Sequence, residues 1–72
     1  MAAELTPREH SIVRLVAQGK KNADIAASFG MNEHLVKNYL REIYDKVGLW
    51  NRVELALWYE ANFNSPQRSI NH

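Results

Sequence analysis

Apolar and polar positions along the chain recur at helical spacing, and helix-ending residues divide the pattern into segments. The first segment begins with Thr6 as N-cap and Glu9 three residues later, which together predict a capping box. Gly19 follows the last apolar position and ends the segment. The second segment is short, with Asn22 as its predicted N-cap and Gly30 as its end. No segment shows the alternation of a strand, so the pattern predicts an all-α fold.

The third segment is the longest, and its boundaries are marked most clearly. Asn32 is its predicted N-cap, and a helix over residues 33–47 stops before Gly48. A fourth helix follows, with Asn51 as its N-cap. The chain therefore contains four predicted helices joined by short turns.

Residues 5–63 are expected to form one small domain, and residues 64–72, which lack periodicity, a flexible C-terminal tail. A chain of 72 residues buries only about 60% of its unfolded surface, which leaves no room for an internal active site. There is no cysteine, and the spacing of His10, His34 and His72 fits no metal motif. We therefore expect no enzyme, no cofactor and no metal site.

The N-terminus lacks the basic and apolar regions of a secretory signal, and no run approaches the roughly 18 apolar residues of a membrane span. These features predict a cytoplasmic protein that does not enter a membrane. The formal net charge is +1, so an anionic partner would have to be bound by a local patch of cations rather than by overall charge.

The second helix, the glycine-containing turn and the third helix have the order of a helix-turn-helix unit, whose second helix enters the major groove of DNA. Opposite its apolar stripe, the third helix carries His34, Lys37, Asn38, Arg41, Glu42 and Asp45. Lys37 and Arg41 are one turn apart, where like charges repel. Lysine, arginine and asparagine bind base edges. By spacing alone, this face could equally be a solvent-exposed surface on which Glu33 pairs with Lys37 and Asp45 with Arg41. The turn and the short helix before it favour DNA binding over that interpretation.

Four separated segments of the chain resemble the LuxR-type helix-turn-helix domain, also called the GerE or FixJ/NarL type. They are "LTPRE", "LVAQGKKNADIA", "VKNYLREIYDKVG" and "NRVELALW", in the family's order and spacing. The resemblance covers residues 5 to about 60. It implies a four-helix domain that binds double-stranded promoter DNA as a homodimer. Such a domain is the output module of a response regulator or a small stand-alone regulator, with RNA polymerase as a further candidate partner.

The resemblance also implies roles for individual residues. Expected base contacts are Lys37, Asn38 and Arg41, of which Lys37 matches the lysine that enters the major groove. Expected phosphate contacts, some supported by the dipoles of the helix ends, are Lys20, Lys21, Asn22, His34, Tyr39 and Lys46. Tyr39 departs from the histidine of many members, and Arg52 is expected to pair with a carboxylate such as Glu9.

The fourth helix has apolar residues on two sides. Leu55, Trp58 and Tyr59 form one side, and Val53, Ala56 and Leu57 the other. A terminal helix can turn only one side to its own core, so the second side predicts a partner surface. The resemblance places a dimer contact on this helix.

Two other functions remain open at this point. A sigma-factor-like promoter-binding domain shares the opening segment, although it does not need a fourth helix with two apolar sides. A helical protein-interaction module without DNA binding would fit the near-neutral charge and the acids Glu33, Glu42 and Asp45.

Overall fold

The structure is a computed structural model that describes residues 4–63. These residues form the four helices α1 (Pro7–Ala17), α2 (Asn22–Phe29), α3 (Glu33–Val47) and α4 (Arg52–Phe63), and no strand occurs among them. The predicted all-α fold is therefore confirmed. The tail predicted for residues 64–72 lies outside the described residues.

Side-chain caps define where three of the helices begin. Thr6 Oγ1 accepts the Glu9 backbone N–H at 3.1 Å, and Glu9 Oε1 accepts the Thr6 N–H at 2.9 Å, which is the predicted capping box. Asn32 Oδ1 accepts the N–H of Leu35 at 2.8 Å at the start of α3. Asn51 caps α4 in the same way. Each cap satisfies N–H groups that have no partner inside the helix.

The prediction that Asn22 caps α2 is wrong by one residue. Lys21 has the extended backbone of the N-cap, and Asn22 is the first helical residue. No side chain caps this helix. The amide oxygen of Asn22 instead accepts a hydrogen bond from Arg52, 30 residues further along the chain, at 2.6 Å.

The turn between α2 and α3 depends on Gly30. Its φ of 67° lies in the left-handed region, where a side chain is strained. The next residue, Met31, donates its N–H to the Ala26 carbonyl at 2.9 Å, which closes the end of α2. This short closure sets the direction in which α3 leaves the turn.

One hydrophobic core joins all four helices. α1 packs mainly against α4, and α2 against α3. The buried apolar residues are Ile12, Val13, Val16, Ile25, Ala26, Val36, Leu40, Ile43, Leu55 and Tyr59. Full burial of one large aliphatic side chain contributes about 1.5–3 kcal/mol. The three core residues of α3 lie on one face of that helix, so its opposite face is directed to solvent.

Three long-range polar contacts, made by the side chains of Lys46 and Arg52, link distant parts of the chain. Lys46 Nζ lies 2.6 Å from Glu9 Oε1 and ties the end of α3 to the start of α1. Arg52 donates to Asn22 Oδ1 and to the carbonyl of Lys20, both at 2.6 Å, and so ties the start of α4 to the α1–α2 loop. The predicted pairing of Arg52 with Glu9 is wrong, because Lys46 occupies that carboxylate.

Candidate nucleic-acid interface

The outward face of α3 carries the predicted base-contacting residues. Lys37 and Arg41 are exposed, and Asn38 is half-buried beside them. They lie on this face because Val36 and Leu40, their neighbours in sequence, are held in the core. The apolar stripe therefore fixes the helix rotation, and the structure brings all three predicted side chains to one surface.

Lys37 and Arg41 have no ion-pair partner among residues 4–63, where the single ion pair joins Lys46 to Glu9. A solvated charged face would contain ion pairs of Glu33 with Lys37 and of Asp45 with Arg41. Neither pair is formed, because neither brings a nitrogen and an oxygen within 4 Å. Two like charges one turn apart are mildly unfavourable in the isolated domain. An anion bound against this face would remove that repulsion.

His34, Glu42 and Asp45 share the outward face and are exposed. Tyr39 differs from them, because its ring is half-buried and packs against the core. Tyr39 also lines a shallow groove with Leu35, Asn38 and Glu42, so part of the tyrosine is accessible. Tyr39 is thus partly a core residue, and its predicted phosphate contact would involve only the accessible part.

The α1–α2 loop presents a second set of cations. Lys20 and Lys21 are exposed, and they line a groove of about 360 Å³ together with Asn22 and Arg52. Since no side chain caps α2, its first N–H groups are available to an anion, which the helix dipole also attracts. The side-chain oxygen of Asn22 is engaged by Arg52. Asn22 therefore holds the loop in place, and its own phosphate contact stays a prediction.

Lys46 was also predicted to contact phosphate. Its ammonium lies against Glu9, although 36% of the side chain remains exposed. Burial raises the pKa of the Glu9 carboxyl, but hydrogen bonds from Lys46 and the Thr6 N–H more than offset this and lower the pKa below its usual range. Lys46 thus has a structural role in the domain, and its phosphate contact is untested.

A groove of about 520 Å³ runs from the α3 face to the α3–α4 turn. It is lined by Lys37, Arg41, Tyr44, Asp45, Gly48, Leu49 and Trp50. Burial raises the pKa of Tyr44, an effect that the Arg52 charge opposes, so the phenol is protonated at neutral pH. Trp50 is 86% exposed. The helical periodicity assigned Trp50 no role because it lies in a turn.

The outer side of α4 is exposed as the sequence predicted. Val53 is 68% and Leu57 65% exposed, and Ala56 between them is half-buried. Leu55 and Tyr59 point into the core. The two apolar sides of the helix are therefore correctly assigned, and the dimer contact predicted on the outer side remains a prediction.

Residues 4–63 contain no group of three histidine, aspartate or glutamate side chains placed to hold a metal ion. None of the helices formed by these residues is long and apolar enough to cross a membrane.

Comparison with known proteins gives consistent matches. The family model described as "Bacterial regulatory proteins, luxR family" matches residues 3–59. The nitrate/nitrite response regulator protein NarL of Escherichia coli is 42% identical over 55 residues, which are 76% of this chain and 26% of that protein.

Two further relatives agree with this match. A putative HTH-type transcriptional regulator of Mycobacterium tuberculosis is 43% identical over 52 residues, 72% of this chain and 6% of its own length. The two-component response regulator PprB of Pseudomonas aeruginosa is 37% identical over 54 residues, 75% of this chain and 20% of its own. The chain spans about a quarter of the length of NarL and less of the other two.

Proposed function

The chain belongs to the LuxR family of bacterial regulatory proteins, and we propose that it binds promoter DNA as a homodimer with α3 of each protomer in the major groove. Members of this family are DNA-binding transcription regulators and not enzymes. The family assignment does not say which surface of this chain contacts DNA or how two copies combine there. The proposal specifies both.

The observation that carries the proposal is the pair Lys37 and Arg41 on the outward face of α3, which no carboxylate of residues 4–63 neutralises in an ion pair. Arginine and lysine donate to O6 and N7 of guanine, and Asn38 beside them has the amide that pairs with adenine. An α-helix fits the major groove, and a helix whose opposite side is locked in a core presents these groups in a fixed direction. The face therefore has the chemistry and the rigidity of a base-contacting surface.

Phosphates would be held on either side of the base contacts. Lys20 and Lys21, with the uncapped N–H groups of α2, form the main proposed phosphate site. Further proposed contacts are His34 at the start of α3 and the accessible parts of Tyr39 and Lys46. Contacts of this kind position the protein on DNA without specifying its sequence.

The outer side of α4 supplies the proposed dimer contact. Val53 and Leu57 are exposed apolar side chains one turn apart. In a two-fold dimer the same patch of each protomer meets its counterpart, so a small apolar surface is used twice. Two protomers on DNA would bind two half-sites in inverted orientation.

The chain is proposed to act as the output domain of a larger response regulator or as a small regulator on its own. The first possibility follows from the three relatives compared, because the chain spans between 6% and 26% of their length. RNA polymerase is a candidate partner at the promoter, and a chromosomal target would place the protein in the bacterial cytoplasm. Nitrate and nitrite appear in the name of one relative and are not carried over to this chain.

A titration of random-sequence duplex at several salt concentrations tests this proposal. Binding through phosphate contacts gives a linear fall of log K with log salt, with a slope of about −0.9 for each phosphate contacted. A helical interaction module, the competing function, would not bind the duplex at low salt. The absence of binding at low salt would therefore refute the proposal.

A further inference from the structure

The α3–α4 turn presents the most exposed large apolar side chain of the described residues. Trp50 is 86% exposed, whereas Trp58, in the middle of α4, is half-buried and its ring lies 5.5 Å from that of Phe63. A single exposed apolar residue is ordinary on a protein surface. Trp50 stands apart because of where it lies, since it lines the same groove as Lys37 and Arg41.

The turn that carries Trp50 is held in place. The Trp50 N–H donates to Glu54 Oε1 at 3.0 Å, and the following residue, Asn51, accepts the Glu54 N–H at 2.9 Å. Gly48 closes the end of α3 by donating its N–H to the Tyr44 carbonyl at 2.8 Å. An indole on a fixed turn loses little conformational freedom when a partner covers it.

The position of the turn relative to the base-contacting face indicates what would cover the indole. α3 continues for six residues beyond Arg41 to Val47, about 9 Å along its axis. In helix-turn-helix proteins the N-terminal residues of the recognition helix contact the base edges. With Arg41 at the base edges, the C-terminal end of α3 and the turn after it would lie farther from the bases, toward the sugar–phosphate strand.

We propose that Trp50 is a DNA-contacting residue whose indole packs on the sugar–phosphate backbone beside the half-site, in the groove that it shares with Lys37 and Arg41. This inference rests on the proposed function. The ring covers apolar deoxyribose atoms, and its Nε1–H is a donor suited to a phosphate oxygen. The two cations of the groove match the charge of that strand. The contact strengthens binding to any sequence and specifies none.

A protomer–protomer contact is the other surface that Trp50 could join, because Val53 and Leu57 follow at helical spacing. The structure favours DNA. Trp50 precedes the first residue of α4, so the α4 periodicity does not set the direction of its side chain. The groove that contains Trp50 is otherwise formed by the outward face of α3 and the turn, and no residue of the α4 outer side lines it.

The decisive experiment compares Trp50→Ala with wild type on a random-sequence duplex long enough for only one protomer, by fluorescence anisotropy of the labelled DNA. We expect a roughly five- to tenfold loss of affinity, because the variant lacks the aromatic surface that the wild type buries on binding DNA. The slope of log K against log salt should not change, because no cation is removed. Phe63→Ala is the matched control, because it removes a half-exposed aromatic ring that lines a groove with Arg14 and Tyr59 and not the groove of Lys37 and Arg41. It should bind this duplex as wild type does. Circular dichroism should show that both variants remain folded, since Trp50 is largely exposed and Phe63 is half-exposed at the end of α4.

A second measurement follows the indole directly. The chain has two tryptophans, so Trp58→Phe leaves Trp50 as the single reporter. Quenching by acrylamide, a neutral molecule, should fall several-fold when the duplex is added. If Trp58→Phe lowers the helix content, the Trp50→Ala comparison decides alone.

The outcomes separate this inference from the function on which it rests. Suppose that wild type binds the duplex, that acrylamide quenches Trp50 equally with and without DNA, and that Trp50→Ala binds as tightly as wild type. This result would overturn the inference and leave the proposed function standing. A loss seen only on long duplexes that hold two protomers would assign Trp50 to the protomer contact and overturn it as well. If wild type itself does not bind duplex, the proposed function fails, and this inference fails with it.

Discussion

The ammonium of Lys46 lies 2.6 Å from the Glu9 carboxylate oxygen that also accepts the N–H of Thr6, so one buried oxygen serves two helices. The residues of the ion pair are 37 positions apart in the chain. Glu9, the N3 residue of the α1 capping box, thereby anchors the end of α3, the helix proposed to enter DNA. The stability of the fold and the placement of the DNA-binding face are linked through this carboxylate.

This relationship predicts a specific response to acid. Because the bonds from Lys46 and Thr6 outweigh burial and lower the pKa of folded Glu9, protonation opposes folding. The stabilisation is complete above the unfolded pKa of about 4.3 and is lost as the pH falls through the lower pKa of the folded protein. Glu9→Gln should lower the free energy of unfolding by about 1–2 kcal/mol at neutral pH, since the charged bond is lost and Lys46 is partly solvated.

Urea unfolding of Glu9→Gln at several pH values checks this prediction. The variant should be less stable than wild type at neutral pH and should approach it below pH 4. Glu42→Gln, an exposed substitution on α3, is the control and should change little. Equal acid sensitivity of wild type and Glu9→Gln would show that the carboxylate does not have this role.

Arg52 should stabilise the α1–α2 loop through its two donors. Lysine has no planar fork and can reach only one of the two acceptors, Asn22 Oδ1 or the Lys20 carbonyl, at a time. Arg52→Lys should therefore lower the free energy of unfolding by about 1–2 kcal/mol. Urea midpoints measure the loss, with Arg14→Lys on the exposed side of α1 as the matched control. A loss no larger than that of the control would contradict the proposed support of the loop.

Lys21 should contribute to affinity without contributing to sequence preference. Lys21→Ala should weaken binding to all duplexes alike and make the slope of log K against log salt shallower by about one unit. The comparison is Arg14→Ala, which removes an equal charge from a helix that does not carry the proposed interface. A change of specificity in Lys21→Ala, with the slope unaltered, would place Lys21 at a base and not at a phosphate.

The outer side of α4 predicts a variant that separates dimerisation from folding. Leu57 is 65% exposed and Leu55 is fully buried, two positions apart. Leu57→Asp should give a folded monomer whose affinity for a two-half-site operator falls toward that for one half-site, because two carboxylates would face each other across the two-fold axis. Leu55→Asp should unfold the domain, because it buries a charge.

Sedimentation equilibrium with and without operator, together with circular dichroism, measures both properties. Leu57→Ala controls for the loss of apolar contact without added charge. An unfolded Leu57→Asp would mean that this side of α4 belongs to the core. Full operator affinity in the folded variant would mean that the dimer forms elsewhere.

The limits of α1 and α3 could be predicted because their signals are local. Thr6 with Glu9, and Asn32 with Gly48, lie within a turn of the helix ends that they define, and the structure has the helices at these limits. The inward stripe of α3 follows from the same short-range spacing. These features require no knowledge of distant parts of the chain.

The errors arose where a partner far along the chain decides the outcome. Asn22 has a good capping side chain, but Arg52 takes its oxygen, and the N-cap moves to Lys21. Glu9 could have paired with either Arg52 or Lys46, and only the packing of the helices selects Lys46. Trp50 lies in a turn, where no periodicity indicates a direction, so its place beside the α3 cations required the fold.

The most direct test of the central claim, that the outward face of α3 binds base edges, is selection of bound sites from a random duplex library. Wild type should enrich a defined motif of two half-sites in inverted orientation. Lys37→Ala/Arg41→Ala should lose that enrichment while keeping its helix content, since each bidentate contact to guanine is worth about 1–3 kcal/mol of discrimination. Arg14→Ala should enrich the wild-type motif. Failure of wild type to enrich any motif, or recovery of the same motif by the double variant, would contradict the account.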